Sequence, residues 1–128
     1  MPAWDEYKKS AKARGALAHE YYVVETTVAT TPEDVKNNLA KHLDYQQQLE
    51  REGSLVLAGP LSNDAGDQMQ GNGLVIYRAE SLEAAKMLAD NDPMHQSGAR
   101  SYILRRWLVN EGTISLNIGL STGVVNLG

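Results

Sequence analysis

The chain has 128 residues, about one domain's worth and enough to bury a core without staples. With 42% hydrophobic residues, 22% charged residues and a net charge of -4, it reads as a globular protein whose main partner is neither nucleic acid nor an anionic membrane. The absence of cysteine excludes disulfides, thiolate metal sites and a cysteine nucleophile and fits a reducing cytoplasm, and no apolar run reaches the length of a membrane span or a signal peptide.

The expectation is therefore a cytoplasmic protein of a single domain, 1–128, with a core at about 20–109. Residues 3–14 place Trp4, Tyr7 and Ala11 at helical spacing before Gly15 and predict a short amphipathic helix lying on the body or on a partner subunit. Glu20 to Val28, rich in β-branched and aromatic residues, predicts the first strand. Thr31, Pro32 and Asp34 form a helix start of the capping-box kind, and Gly53 stops a helix that runs to about Glu52.

Val35, Leu39, Leu43, Gln46 and Leu49 fall on one side of that helix, and His42 sits near the middle of the stripe. An inward imidazole needs a partner or a purpose, because an unpaired buried nitrogen costs about 1 to 3 kcal/mol. Two readings stay open at this point: a core histidine bonded to a carbonyl, or a general base at the floor of a pocket.

Ser54 to Ala58 predicts an almost wholly apolar second strand, closed by Gly59-Pro60, of a kind that suits a central strand or one covered on both faces. Residues 62–73 read as a long polar, glycine-laced loop, a natural pocket rim; Asp64 and Asp67 lack the spacing of a calcium loop. Leu74 to Tyr77 follows as the third strand. Ser81 caps a second helix through about Asn91, and Asp92-Pro93 ends it at a defined corner. Arg100 to Val109 makes the fourth strand, with Arg105 and Arg106 on opposite faces. The tail, 113–127, places Ile114, Leu116, Ile118 and Leu120 at period two and predicts a fifth strand covered by the sheet or by a neighbouring subunit.

The order strand, helix, strand, strand, helix, strand is the split β-α-β arrangement of the α+β ferredoxin-like fold: an antiparallel sheet with both helices on one face. The bare face implies a homodimer or a higher homo-oligomer. His42-Leu43, Gly53, Leu57-Ala58-Gly59-Pro60-Leu61, the Ser81-Leu82-Glu83-Ala84-Ala85 helix start, Asp92-Pro93, Gly98 and Trp107, in this order, resemble the YCII-related proteins of the dimeric α/β-barrel superfamily over about Tyr21 to Trp107. The added N-terminal helix, the long loop and the apolar C-terminal strand depart from that pattern.

The resemblance implies a catalytic pair of His42 and Asp92, the carboxylate fixing the imidazole tautomer and the free ring nitrogen taking a substrate proton. Gly59 and Pro60 either let a ligand approach the backbone or simply end the strand, and Tyr45, Ser97 or Arg100 are candidates to steady a developing oxyanion. The implied function is cofactor-independent acid/base chemistry, of lyase or isomerase type, on a small organic substrate such as a phenol or a lactone. The competing reading is a non-catalytic small-molecule-binding module. His19, His42 and His95 show no metal-ligand spacing, His19 and His95 read as surface or loop residues, and no metal or cofactor is expected.

Overall fold

The long helix α2 (Pro32–Glu52) forms where its caps dictate. Thr31 Oγ1 accepts from the Asp34 amide at 3.2 Å, Pro32 occupies the first turn, and Gly53 closes the helix at φ 82°, where the Ser54 amide reaches the Leu49 carbonyl at 2.9 Å. This computed structural model describes residues 1–128 and divides into two compact units, 20–107 and a second made of 1–19 with 108–128.

The larger unit holds strands β1 (His19–Val28), β2 (Leu55–Ser62), β3 (Met69–Tyr77) and β4 (Arg100–Val109), two of which continue a residue or two beyond its limits. They form a sheet in the order β2-β3-β1-β4, with β3 antiparallel to both β1 and β2. This is the ferredoxin-like arrangement expected from the element order. Tyr22 opposes Tyr77 and Val24 opposes Val75, so these four side chains share a face. On that face they pack with Leu49 of α2 and with Ala85 and Ala89 of α3 (Leu82–Asp90), whose spacing of four presents two small residues on one helical stripe. The Ser81 hydroxyl caps α3 by accepting from the Ala84 amide.

Four expectations require correction. Strand β2 lies at an edge of the sheet instead of in its centre, and Leu57 remains 61% exposed; an apolar run alone does not distinguish a covered strand from one facing an uncovered surface. Gly59 and Pro60 lie inside β2 rather than ending it, and proline is tolerated there because an edge strand has amides free of ladder duty. The expected loop at 62–73 shrinks to residues 63–68: Asn63 accepts the Asp67 and Gln68 amides on its side chain and donates to the Asp67 carboxylate, so the chain turns early and β3 starts at Met69. Pro93 begins a further short helix, α4 (Pro93–Gln96), instead of only ending α3, because Asp92 is in extended conformation and caps it.

Arg105 and Arg106 of β4 find Glu25 and Glu20 at 3.0 and 3.1 Å, which accounts for the two arginines on its opposite faces. The sheet face away from the helices carries Val23, Leu57, Leu74, Ile76 and Ile103, with Leu57 and Ile103 exposed.

The smaller unit contains helix α1 (Trp4–Ala13) and a tail that is not the single strand expected within 113–127. Only Asn117–Ile118 (β5) and Val125–Asn126 (β6) pair, as a small antiparallel hairpin. Gly119 and Gly123 bracket the turn, the Gly123 amide donating to the Gly119 carbonyl at 2.9 Å, so the period-two pattern is broken by a reversal. Within this unit Arg14 pairs with Glu111 at 3.3 Å and Asn110 donates to the Tyr7 hydroxyl at 3.2 Å.

Candidate active site

The apolar stripe of α2 does not close completely on the sheet. A cavity of about 500 Å³ opens along it, with Leu39, His42, Leu43 and Gln46 on one wall. The strands offer Ala58, Gly59, Gly71 and Gly73 to the wall, small residues that leave the space unfilled. Gly73 also sits in close packing: a Cβ there would stand 3.1 Å from the Gly59 carbonyl oxygen of the neighbouring strand. Leu39 and Leu43, expected in the core, are about half exposed because they face this opening.

His42 and Asp92 meet at the cavity. The helix caps bring them together: Thr31 and Gly53 set the length of α2, and Ser81 and Pro93 place the corner behind α3. His42 Nδ1 lies 2.8 Å from Asp92 Oδ1 and 2.9 Å from Oδ2. Asp92 Oδ1 also accepts the Met94 amide at 2.9 Å, so the residue that holds the imidazole is simultaneously the cap of α4. Asp92 is 1% exposed, and the His42 side chain is 18% exposed. A carboxylate only accepts, so the hydrogen of the neutral ring is assigned to Nδ1, and Nε2 is left as a lone-pair acceptor.

A second polar chain runs along the wall. His95 Nδ1 is 2.7 Å from the Ala89 carbonyl and Nε2 is 3.0 Å from Thr26 Oγ1, while Arg100 Nε donates to the same hydroxyl at 2.9 Å. Thr26 and Arg100 both line the cavity. His95, expected at the surface or in a loop, is instead bonded at both ring nitrogens, with its ring centroid 4.6 Å from that of Tyr102 and tilted by 42° to it. Thr26 was not foreseen; its signal is the buried-face period of β1, where it follows Tyr22 and Val24 as the one polar residue.

Of the other residues nominated from sequence, Gly59, Pro60 and Arg100 line the cavity, and Tyr45 and Ser97 do not. Tyr45 donates to the Leu88 carbonyl at 2.7 Å, and burial, helped by the Asp92 charge, pushes its hydroxyl up to about 12, so it serves as a tie between α2 and α3. Ser97 turns back on its own helix, its hydroxyl donating to Met94 O and accepting the Ala99 amide. Burial lowers the Arg100 guanidinium below its ordinary value, against the opposing pull of Asp92.

Comparison with known proteins agrees with this architecture. The chain matches the sequence profile of the YCII-related domain over residues 6–108. It is 41% identical over 66 residues to Protein YciI of Escherichia coli O6:H1 and to Protein YciI of Shigella flexneri, a stretch covering 48% of this chain and 67% of each relative. Among solved structures it is similar to 5-chloro-2-hydroxyhydroquinone dehydrochlorinase (TftG) of Burkholderia phenoliruptrix AC1100, in complex with 2,5-dihydroxybenzoquinone. The TM-score is 0.53 at 21% identity, over 67% of this chain and 92% of that one. It is also similar to muconolactone isomerase, with a TM-score of 0.53 at 16% identity over 66% of this chain and 84% of that one. At such identities these two likenesses are likenesses of fold.

Proposed function

The chain belongs to the YCII-related family, and from that membership and the geometry of its cavity we propose that it performs cofactor-independent acid/base chemistry, of lyase or isomerase type, on a small organic molecule. The observation that carries this reading is the contact of His42 Nδ1 with both oxygens of Asp92, the ring standing in the wall of a cavity. Asp92 holds the ring in the tautomer that leaves Nε2 free, and its charge stabilises the imidazolium that forms when Nε2 takes a proton. The contact is prearranged, since Asp92 is buried and also tied to the Met94 amide, so little reorganisation accompanies proton transfer. Gly59 and Pro60 give the ligand a backbone wall without side-chain bulk. The names of the two structural neighbours, a dehydrochlorinase and a muconolactone isomerase, belong to the same broad reaction types, which supports a phenol-like or lactone-like substrate.

The test is solvent-deuterium incorporation, followed by NMR, into a panel of unsaturated lactones and substituted hydroquinones incubated with the purified protein. Exchange at a carbon-bound hydrogen is expected for at least one member of the panel; its absence throughout leaves the cavity as a binding site without proton chemistry.

The reading includes a homodimer in which a second copy covers the helix-free sheet face bearing Leu57 and Ile103. Sedimentation equilibrium is expected to give twice the 14.0 kDa chain mass, and a chain-mass result contradicts this part of the proposal.

A further inference from the structure

Arg100 reaches the cavity wall partly buried, and each hydrogen bond it makes goes to a neutral oxygen. Nε donates to Thr26 Oγ1 at 2.9 Å, and Nη2 donates to the Thr26 carbonyl at 3.2 Å and the Gly71 carbonyl at 2.6 Å. Nη1 takes part in none of these bonds. The carboxylate whose charge Arg100 feels, Asp92, is already engaged with His42 and the Met94 amide. A cation drawn out of water into an apolar wall is stabilised by a counter-ion, and the planar guanidinium fork fits the oxygens of a carboxylate in particular.

The fork is also held in a fixed orientation. The Ala89 carbonyl can only accept, so His95 Nδ1 carries the hydrogen between them; Nε2 of the neutral ring is then an acceptor, and Thr26 must donate to it. That leaves the lone pairs of Thr26 Oγ1 facing Arg100 Nε, and the direction of every proton in the chain is assigned. On the other side, Gly71 stands at φ +84°, and a Cβ there would lie 3.1 Å from Val28 Cγ2, so the carbonyl that receives Nη2 sits at a position suited to glycine.

We propose that Arg100 is the anion receptor of this cavity, oriented by Thr26 and His95, and that the ligand is a small, otherwise apolar molecule bearing one carboxylate or a comparably anionic oxygen. The remaining wall suits such a molecule, since Val35, Leu39, Leu43, Met69 and Met94 are apolar and about 500 Å³ admits a single substituted ring. The proposal rests on the cavity being the ligand site, as above, but not on His42 acting as a base. Thr26 and His95 are positioning residues, acting through Arg100.

The probes are benzoate and benzamide, matched in shape and different in charge, titrated into the protein by NMR at low ionic strength. Wild-type protein is expected to bind benzoate about tenfold more tightly than benzamide, and Arg100→Gln to erase that preference. Thr26→Ser, which keeps the hydroxyl, is expected to retain the preference, and Thr26→Val to weaken it. His42→Gln is expected to retain it, so loss of proton chemistry and loss of anion recognition read out separately. Equal affinity for the two probes, binding of neither at millimolar concentration, or a preference that survives Arg100→Gln overturns the proposal. So does a preference lost in His42→Gln, which would place the anion at the imidazole. If Arg100→Gln does not fold, the assignment to Arg100 is read from Thr26→Ser against Thr26→Val, and an equal preference in those two variants overturns it.

Discussion

Replacing His42 with glutamine is expected to slow deuterium incorporation into whichever lactone or hydroquinone the wild-type protein exchanges by about a hundred- to ten-thousandfold, the span over which a positioned general base acts. Glutamine keeps a polar group of similar reach on α2, and the ring position is not fully buried, so the fold should survive the change. The effect belongs to the chemical step: the amide has no lone-pair nitrogen to take a proton, while the rest of the cavity wall is unchanged. A His42→Gln protein that exchanges as fast as wild type removes the imidazole from the mechanism and leaves the cavity with no base.

Asp92→Ala is expected to produce the largest loss of stability of any single change at the site. The carboxylate caps α4 through the Met94 amide, a contribution of about 1 kcal/mol, and it receives the His42 Nδ1 hydrogen. Truncation leaves both donors without their partner in a nearly water-free place, and each such group costs about 1 to 3 kcal/mol. The effects share one environment and are not additive, so the expected total is about 2 to 4 kcal/mol, read as a lowered urea midpoint. Asp92→Asn keeps an oxygen for the Met94 amide and should lose less than half as much. If Asp92→Ala unfolds within about 1 kcal/mol of wild type, water replaces the carboxylate easily and the pair is not the prearranged unit described above.

The residues legible in the sequence are those whose position depends on local rules. Thr31 and Gly53 bound α2 and thereby set His42, and the Ser81 cap and the Asp92-Pro93 step place the corner, but local rules left the role of His42 open, and it was the family resemblance that implied the pairing of the two side chains now seen 2.8 Å apart. What was misjudged depends on tertiary packing. Leu55 to Ala58 is apolar enough for a central strand, yet β2 sits at an edge, because the identity of its neighbours is a property of the whole sheet. Tyr45 follows His42 by three residues and looked close enough to share its pocket, but its hydroxyl belongs to the seam between α2 and α3. His95 looked like a loop residue because a helix of four residues leaves almost no periodic signal, and its bonds to Thr26 and Ala89 come from segments distant or reversed in the chain. Arg100 was nominated among three candidates for an oxyanion contact, and only the wall of the cavity separates it from Tyr45 and Ser97. The tail carried a clean period of two, but two glycines and a turn overrode it.

The most direct measurement is the nitrogen-15 spectrum of the His42 ring in the neutral protein. A hydrogen on Nδ1 and a bare Nε2 are required, because Asp92 can only accept and the free nitrogen must face the cavity. Asp92→Ala should abolish that preference. A ring that carries its hydrogen on Nε2, or one whose tautomer is the same with and without the carboxylate, contradicts the account.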